Sequence, residues 1–506
     1  MRKISTAVIV FVFLNFCNLT YGQVLTARVI DSTSQQPIPY ATVLLANKKG
    51  VITNEEGRFS LQVDNTIKET DSLFISCMGY ETVAKPLNQF NEQIIILRPK
   101  AIELNDVFVS NKNYTAEEII DKVKENLNKN YDTNLSRKRI FLRQSNFQNF
   151  SKKKYSFKKS SIPELNKPLL DSVLNAIPDN FSYYSEILCD YFGNQTKDQQ
   201  KIKLIKASEL YDKKKEIGFE SLLNRFNDIL KEHVKPDSYL KIKSGWFGTK
   251  VDADEILNMD SSAGNENSEK EEEQKSFAEY RKKTIAGLNN KLFFVDGTDL
   301  NFISKPRKYN FNIIDYSYIV NNPVYVISFE PKGRADYKGT LFVAIDDFAI
   351  LRVEYENVKS IRDFNLLGVS YNEYLSKGKM IFSKKQNATK YSLLFLEHTT
   401  GGKFGVRRPL KIVEKNKNVR GRRKQNELKL EIDMATNTKI KFEQVVFDNE
   451  SISSSYFQNL QEKNDQLPTY LPAYDPNFWK GYNIIEPNQA IKEFAAEGYQ
   501  KPVFKN

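Results

Sequence analysis

Only two histidines, His233 and His398, occur in 506 residues, so imidazole chemistry is confined to those positions. A Ser-His-Asp arrangement would have to use one of them, and a zinc site would need both or lean on carboxylates. His233 closes the helical stretch GFESLLNRFNDILKEH and His398 closes the strand-like YSLLFLEH, positions expected of surface or strand-end histidines. Neither HExxH nor HxxE occurs, and GxSxG, GxxxxGK[ST] and GxGxxG are absent too. Carboxylates group at Asp252/Asp254/Glu255 and at Asp346/Asp347. Glycoside hydrolysis needs two carboxyls facing across a cleft. The first set precedes a low-complexity stretch and the second falls in a hairpin turn, so both read as surface. The reading therefore assigns no catalytic, cofactor-binding or metal-ligating residue and expects no cofactor.

Charge is the stronger chemical signal. The chain carries a formal net charge of +12, and nine cations lie between Arg407 and Lys424, opposed only by Glu414. Nucleic acid is an unsuitable partner, since no aromatic residue interleaves the run for base stacking. A solvated loop between strands is the default. The sharper expectation is an anionic-surface contact, to lipid headgroups or lipopolysaccharide phosphates, through Arg407, Arg408, Arg420, Arg422, Arg423 and Lys424.

The N-terminus explains why nucleic acid is excluded. Arg2 and Lys3 precede the apolar run Ile4–Leu14, which is too short for a membrane span but suits a signal-peptide core. Cleavage is expected after Gly22. Cys17 follows Phe16, where a lipidation signal wants a small residue, so acylation there is not expected. No later segment reaches spanning length, which predicts an exported chain, periplasmic or associated with the outer membrane. The two remaining cysteines, Cys77 and Cys189, are too distant in sequence to form a disulfide framework and are expected as buried thiols.

Behind the signal, Val24–Leu97 reads as a small β-sandwich. Ala41, Val43 and Leu45 alternate with Thr42 and Leu44; Phe59, Leu61 and Val63 alternate again, as do Leu73 and Ile75. Asn54-Glu55-Glu56-Gly57 punctuates two strands, with Gly57 supplying a turn. The segments ARVIDSTSQQPIPYATVLL, TNEEGRFSL and SCMGYET resemble the carboxypeptidase-regulatory-like domain, a transthyretin-like seven-stranded sandwich. The resemblance implies a Bacteroidetes envelope protein with an accessory or interaction module. Without HxxE it implies no peptidase, and Gly57, Phe59, Gly79 and Tyr80 read as turn and core residues.

Beyond a linker at 99–114, Thr115-Ala116-Glu117-Glu118 forms a capping box opening an amphipathic helix with Ile119, Val123 and Leu127 on one stripe. Residues 115–260 read as a helix-rich, mixed region, and 261–275 as an acidic flexible loop. Residues 276–506 read as an antiparallel β-rich domain closed by a Pro/aromatic segment, in which Asp475-Pro476 and Phe478-Trp479 clamp the chain end onto that domain. PVYVISFEPK followed by GTLFVAIDDFAILRVEYE resembles the sheet of lipoprotein-carrier-like (LolA/LolB-like) half-barrels, which implies a curved sheet around a helix and an acyl-chain cradle. The ordinary antiparallel sheet remains the alternative. The fold class expected is thus mainly β with α (α+β): a transthyretin-like sandwich, then a larger antiparallel β domain with packed helices. The function expected is a non-enzymatic envelope protein whose larger domain binds a partner or an apolar, lipid-like ligand. A carboxylate-based hydrolase is the alternative.

Overall fold

The computed structural model describes residues 24–499 apart from 46–48, 64–66, 92, 101–113, 195–198, 246, 254–265, 320–321, 385–387, 418–423 and 463–465. The signal segment, Cys17, most of the linker and Arg420, Arg422 and Arg423 therefore lie outside the described residues. The chain divides into two compact units, Met1–Ala101 with Pro476–Asn488, and Ile102–Asp475 with Gln489–Asn506. The fold is mainly β with helices, and its first unit is the expected sandwich.

In that unit β1 (Val24–Asp31) lies between antiparallel β4 (Arg58–Gln62) and parallel β7 (Ile94–Leu97). The second layer is an antiparallel sheet in the order β3 (Lys49–Ile52), β2 (Thr42–Leu45), β5 (Ser72–Ser76), β6 (Val83–Pro86). The alternation read from sequence fills the space between layers: Val29, Val43, Leu45, Leu61, Leu73 and Ile75 are fully buried. Asn54 builds the turn by accepting from the amides of Glu56 and Arg58. Tyr80 donates to Asp31 at 2.6 Å, so its role is structural, as expected. The Pro/aromatic segment departs from expectation. Residues 476–488 belong to the sandwich unit: Pro487 carbonyl accepts from Asn54 Nδ2 and Asn483 Oδ1 accepts from the Gln62 amide. Trp479 is buried there, edge-on to Phe478 and Tyr482. Asn54 and Gln62 offered polar groups at the sandwich edge, and the segment satisfies them.

The second unit is organised by one 14-stranded sheet. Its main path runs β13 (Tyr309–Ile319), β14 (Asn322–Pro331), β15 (Tyr337–Ala344), β16 (Ile350–Asn357), β18 (Val369–Ser383), β19 (Ser392–Asn416), β20 (Lys424–Ser451), β8 (Ser136–Ser160), β9 (Asn180–Gly193), β10 (Gln200–Leu210) and β21 (Thr469–Leu471). All pairs are antiparallel except β10 with β21. Off this path, β17 (Arg362–Leu366) pairs with β18, and β11 (Ser238–Ser244) pairs with both β12 (Phe247–Asp252) and β19. The 115–260 region therefore supplies strands to the same sheet as 276–506, and the expected division near residue 260 does not separate two domains.

Helix α1 (Ala116–Asn130) opens with the predicted capping box at Thr115 and Glu118. Helices α2 (Lys167–Ala176) and α3 (Lys213–His233) pack on each other through Ile162, Leu165, Leu169 and Ile229. Helix α4 (Glu266–Asn289) corrects the acidic-loop expectation from residue 266 onward. Its charges pair along the helix, Lys282 and Lys283 both reaching Glu279. Arg281, 3% exposed, anchors it to the sheet through Gln144 at 2.8 Å and Ser185 at 2.6 Å. Two short helices, α5 (Ser454–Asn459) and α6 (Gln489–Glu493), complete the unit.

The inner face of the sheet is occupied by the chain itself. Residues 292–303 send Leu292, Phe293, Leu300, Phe302 and Ile303 into the core, where Phe302 stacks on Phe329 and Phe293 packs edge-on to Tyr131. Tyr131 exchanges hydrogen bonds with the Ile350 backbone, tying the end of α1 to β16.

Three strands are far longer than this core requires. No residue is buried from 146 to 160 in β8 or from 431 to 442 in β20. Burial resumes at Val413, Glu414, Leu428 and Leu430. There Leu230, Val234, Leu240, Ala253 and Ile412 make a second, small core. The long strands thus cross an uncovered stretch between two cores.

Candidate functional site

Cross-strand register aligns polar residues into rows on one face of the sheet. Ser328, Thr340, Glu354, Lys379, Glu397, Glu443, Arg143 and Glu186 stand directly opposite one another, strand after strand. Side chains two apart on a strand share a face. A second row on this face therefore includes Lys338, Glu356, Lys377, Thr399 and Lys441. Signs alternate along much of both rows. Lys379 reaches Glu354 at 3.2 Å, Lys441 reaches Glu397 and Glu443 at 3.2 Å each, and Lys338 reaches Glu356 at 3.1 Å. An exposed opposed pair such as Lys338 with Glu356 contributes about 0.2–1 kcal/mol.

The rows sink from solvent into the protein. Glu356 and Lys338 are about half exposed, Glu397 and Lys441 nearly covered, and Arg143 is 1% exposed between Glu186 at 2.7 Å and Glu443 at 3.8 Å. At the open end the rows line a cleft of about 490 Å³ formed with Glu330, Gly339 and Gly378. Gly339 is required there: a Cβ at that position would meet the Phe329 ring at 2.9 Å from the other face. Burial works to raise the Glu354 carboxyl, but Arg352 and Lys379 outweigh it and hold it below the ordinary range. Burial and the neighbouring Arg352 lower Lys379 against the pull of Glu354.

This chemistry suits recognition of charge more than acid–base catalysis. Carboxylate-based hydrolysis keeps one carboxyl protonated near neutrality, and Glu354 is pushed the other way. Of the carboxylates singled out in sequence, Asp347 serves a turn. Asp347 accepts from Tyr391 at 3.0 Å and from the Ala349 amide, in the predicted hairpin between β15 and β16. Asp252 pairs with Lys417; Asp254 and Glu255 lie outside the described residues. Among the described residues no group of three His, Cys, Asp or Glu is placed to hold a metal. The cleft is charged where an acyl cradle would be apolar.

Both histidines are held. His233 Nε2 lies 2.9 Å from Glu164 at the end of α3. His398 is not at a strand end: it lies inside β19, 2% exposed, with Nδ1 2.9 Å from the Tyr355 hydroxyl and Nε2 buried without a hydrogen-bond partner. Burial, then the charge of Lys291, depresses it to about 3, so it is neutral in ordinary buffers. Cys189 is buried in β9, and burial pushes its thiol up.

The described part of the basic run is strand. Arg407 and Arg408 lie mid-strand in β19, whereas Lys424 begins β20 opposite Lys415. Eight residues at ~3.3 Å each separate Arg407 from Lys415, about 26 Å. Lys424 is bound to Glu427 at 2.5 Å together with Lys411, Lys429 and Lys159. The structure therefore brings Arg407 and Arg408 together and sets Lys424 apart. The charged rows were missed in sequence, although Arg352, Glu354 and Glu356 alternate with Val353 and Tyr355 at the strand period. Charges two apart in a run otherwise read as core strand were the available signal.

The family description "CarboxypepD_reg-like domain" matches residues 25–109. No curated protein matches the chain. A LolA superfamily protein from Nitrosomonas europaea aligns with 67% of this chain and 95% of its own, at 9% identity and TM-score 0.17. MucB of Pseudomonas aeruginosa, from its complex with MucA, aligns with 64% and 93% respectively, at 7% identity and TM-score 0.15. At these scores neither likeness bears on what this chain binds. No described helix is long and apolar enough to cross a membrane.

Proposed function

We propose that this protein is an exported envelope component that acts by binding. The sandwich serves as an interaction module, and the charged face of the large sheet seats a polar partner, an extended polypeptide of mixed charge. The single observation behind this reading is the cleft over β14–β19, where Glu354, Lys379 and Glu397 alternate in sign within one cross-strand row. Such a row offers ionised donors and acceptors at the spacing of adjacent strands, about 4.7–4.9 Å. Complementary charge at that spacing selects partners and speeds encounter more than it adds affinity. Export rests on the charged and apolar N-terminal run, Arg2 to Leu14.

The test places a photo-crosslinking residue at Thr340, on the cleft floor, in the full chain within its native envelope. A discrete protein adduct is expected, and K338E/K377E should abolish it. An adduct that persists in K338E/K377E, or irradiation that yields lipid adducts or none, would overturn the reading.

A further inference from the structure

Two hairpins converge on Arg407 and Arg408. The β17–β18 hairpin approaches along the edge of β19 from one side, its last pair being Val369 opposite Val406. The β11–β12 hairpin approaches along the same edge from the other, its last pair being Lys243 opposite Lys411. Residues 407–410 lie in the gap, within the uncovered stretch of the long strands. The Arg407 amide donates to the Gly368 carbonyl at 2.7 Å. Arg408 donates to the Ser244 hydroxyl at 2.7 Å and to the Ser244 carbonyl, and its guanidinium lies 5.3 Å over the Phe247 ring. Both tips are thus tied to the arginine pair.

The β17–β18 tip is apolar where hairpin tips are ordinarily polar, and Phe247 is exposed at the other. Residues 362–368 are all exposed. Phe364 is 51%, Leu366 65%, Leu367 59%, Phe404 45% and Phe247 57% exposed. Register puts Phe364, Tyr371 and Phe404 in one row on the face that Arg408 shares. Leu367 holds φ +51° and Gly368 φ +80°, the two-residue turn that favours Asn-Gly. A leucine there adopts the left-handed region against its steric preference and exposes its side chain as well. Folding gains nothing from that choice, so the apolar tip has another use. Arg362 stands on the same face as Phe364, 3.8 Å from Glu373, and Arg407, next to Arg408 on β19, is 76% exposed with Asp433 no nearer than 3.9 Å.

We infer that the two tips are a membrane-docking site: Leu366, Leu367, Phe364 and Phe247 enter the interfacial layer of an anionic phospholipid bilayer while Arg407, Arg408 and Arg362 meet its phosphates. Charge complementarity selects this occupant over an apolar protein groove, because exposed leucine and phenylalanine beside Arg362, Arg407 and Arg408, with Asp363 the one acid in the tip, is the composition of interfacial anchors. The site is separate from the cleft, and its test does not depend on the polypeptide reading.

The experiment is flotation of the purified mature chain with vesicles of phosphatidylethanolamine and phosphatidylglycerol, against phosphatidylcholine alone. Binding to the anionic vesicles only is expected, weakened about fivefold by R407E for each unit of charge removed. The variant L366T/L367N installs the residue the turn favours, so it should melt no lower than wild type yet lose vesicle binding. Equal binding to both vesicle types, no binding to either, or undiminished binding by L366T/L367N would each overturn the proposal. Dimerisation through the tips without flotation would overturn it in favour of a second copy of the chain.

Discussion

Arg143 on β8 donates its Nε–H to Glu186 Oε1 on β9 at 2.7 Å, with both side chains almost wholly removed from water. A buried pair of this kind is expensive to desolvate, and removing one partner leaves an uncompensated charge. R143M is therefore expected to destabilise the large unit by about 3–5 kcal/mol. The double variant R143M/E186L should recover most of that loss. Denaturant melts of the two variants check this, and a double variant no more stable than R143M would refute it.

Arg281 does a different task, since it fastens a helix whose apolar contacts, Ala278, Ile285 and Leu288, lie in its second half. Its guanidinium reaches Gln144, Ser185, Tyr183 and, at 3.5 Å, Glu209. R281A leaves those groups short of a donor, which costs about 2–3 kcal/mol where hydrogen bonds to a charged group are lost. The loss should be local. Hydrogen exchange in Glu266–Asn289 should rise well before exchange in β14–β16, and uniform protection across both would contradict the assignment.

What was legible follows from how many faces each segment buries. The sandwich strands bury one face each, so Val43, Leu45, Phe59 and Leu61 alternate and can be read directly. Residues 146–160 of β8 and 431–442 of β20 are not buried on either face, and Lys152, Lys153 and Lys154 interrupt the pattern because no core disciplines it. The first part of helix α4, 266–275, carries almost only polar and charged residues and so reads as a loop, whereas the apolar residues it buries, Ala278, Ile285 and Leu288, come only in its second half. The candidate cleft was illegible for another reason. Its rows join residues from strands up to 300 positions apart, as Glu443 is from Arg143 directly opposite it, and pairing order cannot be read from a single strand. Arg407 and Arg408 were visible as chemistry, but the apolar residues beside them belong to a distant segment, 364–368, and to Phe247.

His398 makes the large unit sensitive to mild acid. Burial and Lys291 hold its folded value at about 3, against 6.5 for an ordinary histidine. Between those values the unfolded chain binds a proton that the folded chain refuses, so stability rises with pH across the window. Acidification from pH 6.5 towards 4 should cost up to about 1.4 kcal/mol per unit. H398Q retains an amide to meet the Tyr355 hydroxyl and removes the titration. Its stability should be flatter over that range in denaturant titrations at pH 7, 5.5 and 4.5. Parallel profiles for H398Q and wild type would show that His398 is not the group responsible.

Glu427 acts in a lower window and in the other direction of charge. Hydrogen bonding from Lys424 leads, burial opposes, and Lys411 adds to the pull, which holds the carboxyl at about 2 against an ordinary 4.5. A depressed carboxyl stabilises the fold fully above its unfolded value and loses that contribution as pH falls through the folded one. The Glu427 contribution is therefore intact above about 4.5 and disappears towards 2. With Lys159, Lys411 and Lys429 also within 4 Å, E427Q leaves four lysines facing one another at the junction of β8, β19 and β20. It should destabilise the small core around Leu240 and Ile412 by about 1–3 kcal/mol at neutral pH. Added salt should restore part of that loss by screening the lysines. Thermal melts of E427Q and wild type should then draw closer as pH falls to 3, and a gap that stays constant from pH 7 to 3 would rule out the ionised carboxylate as the cause.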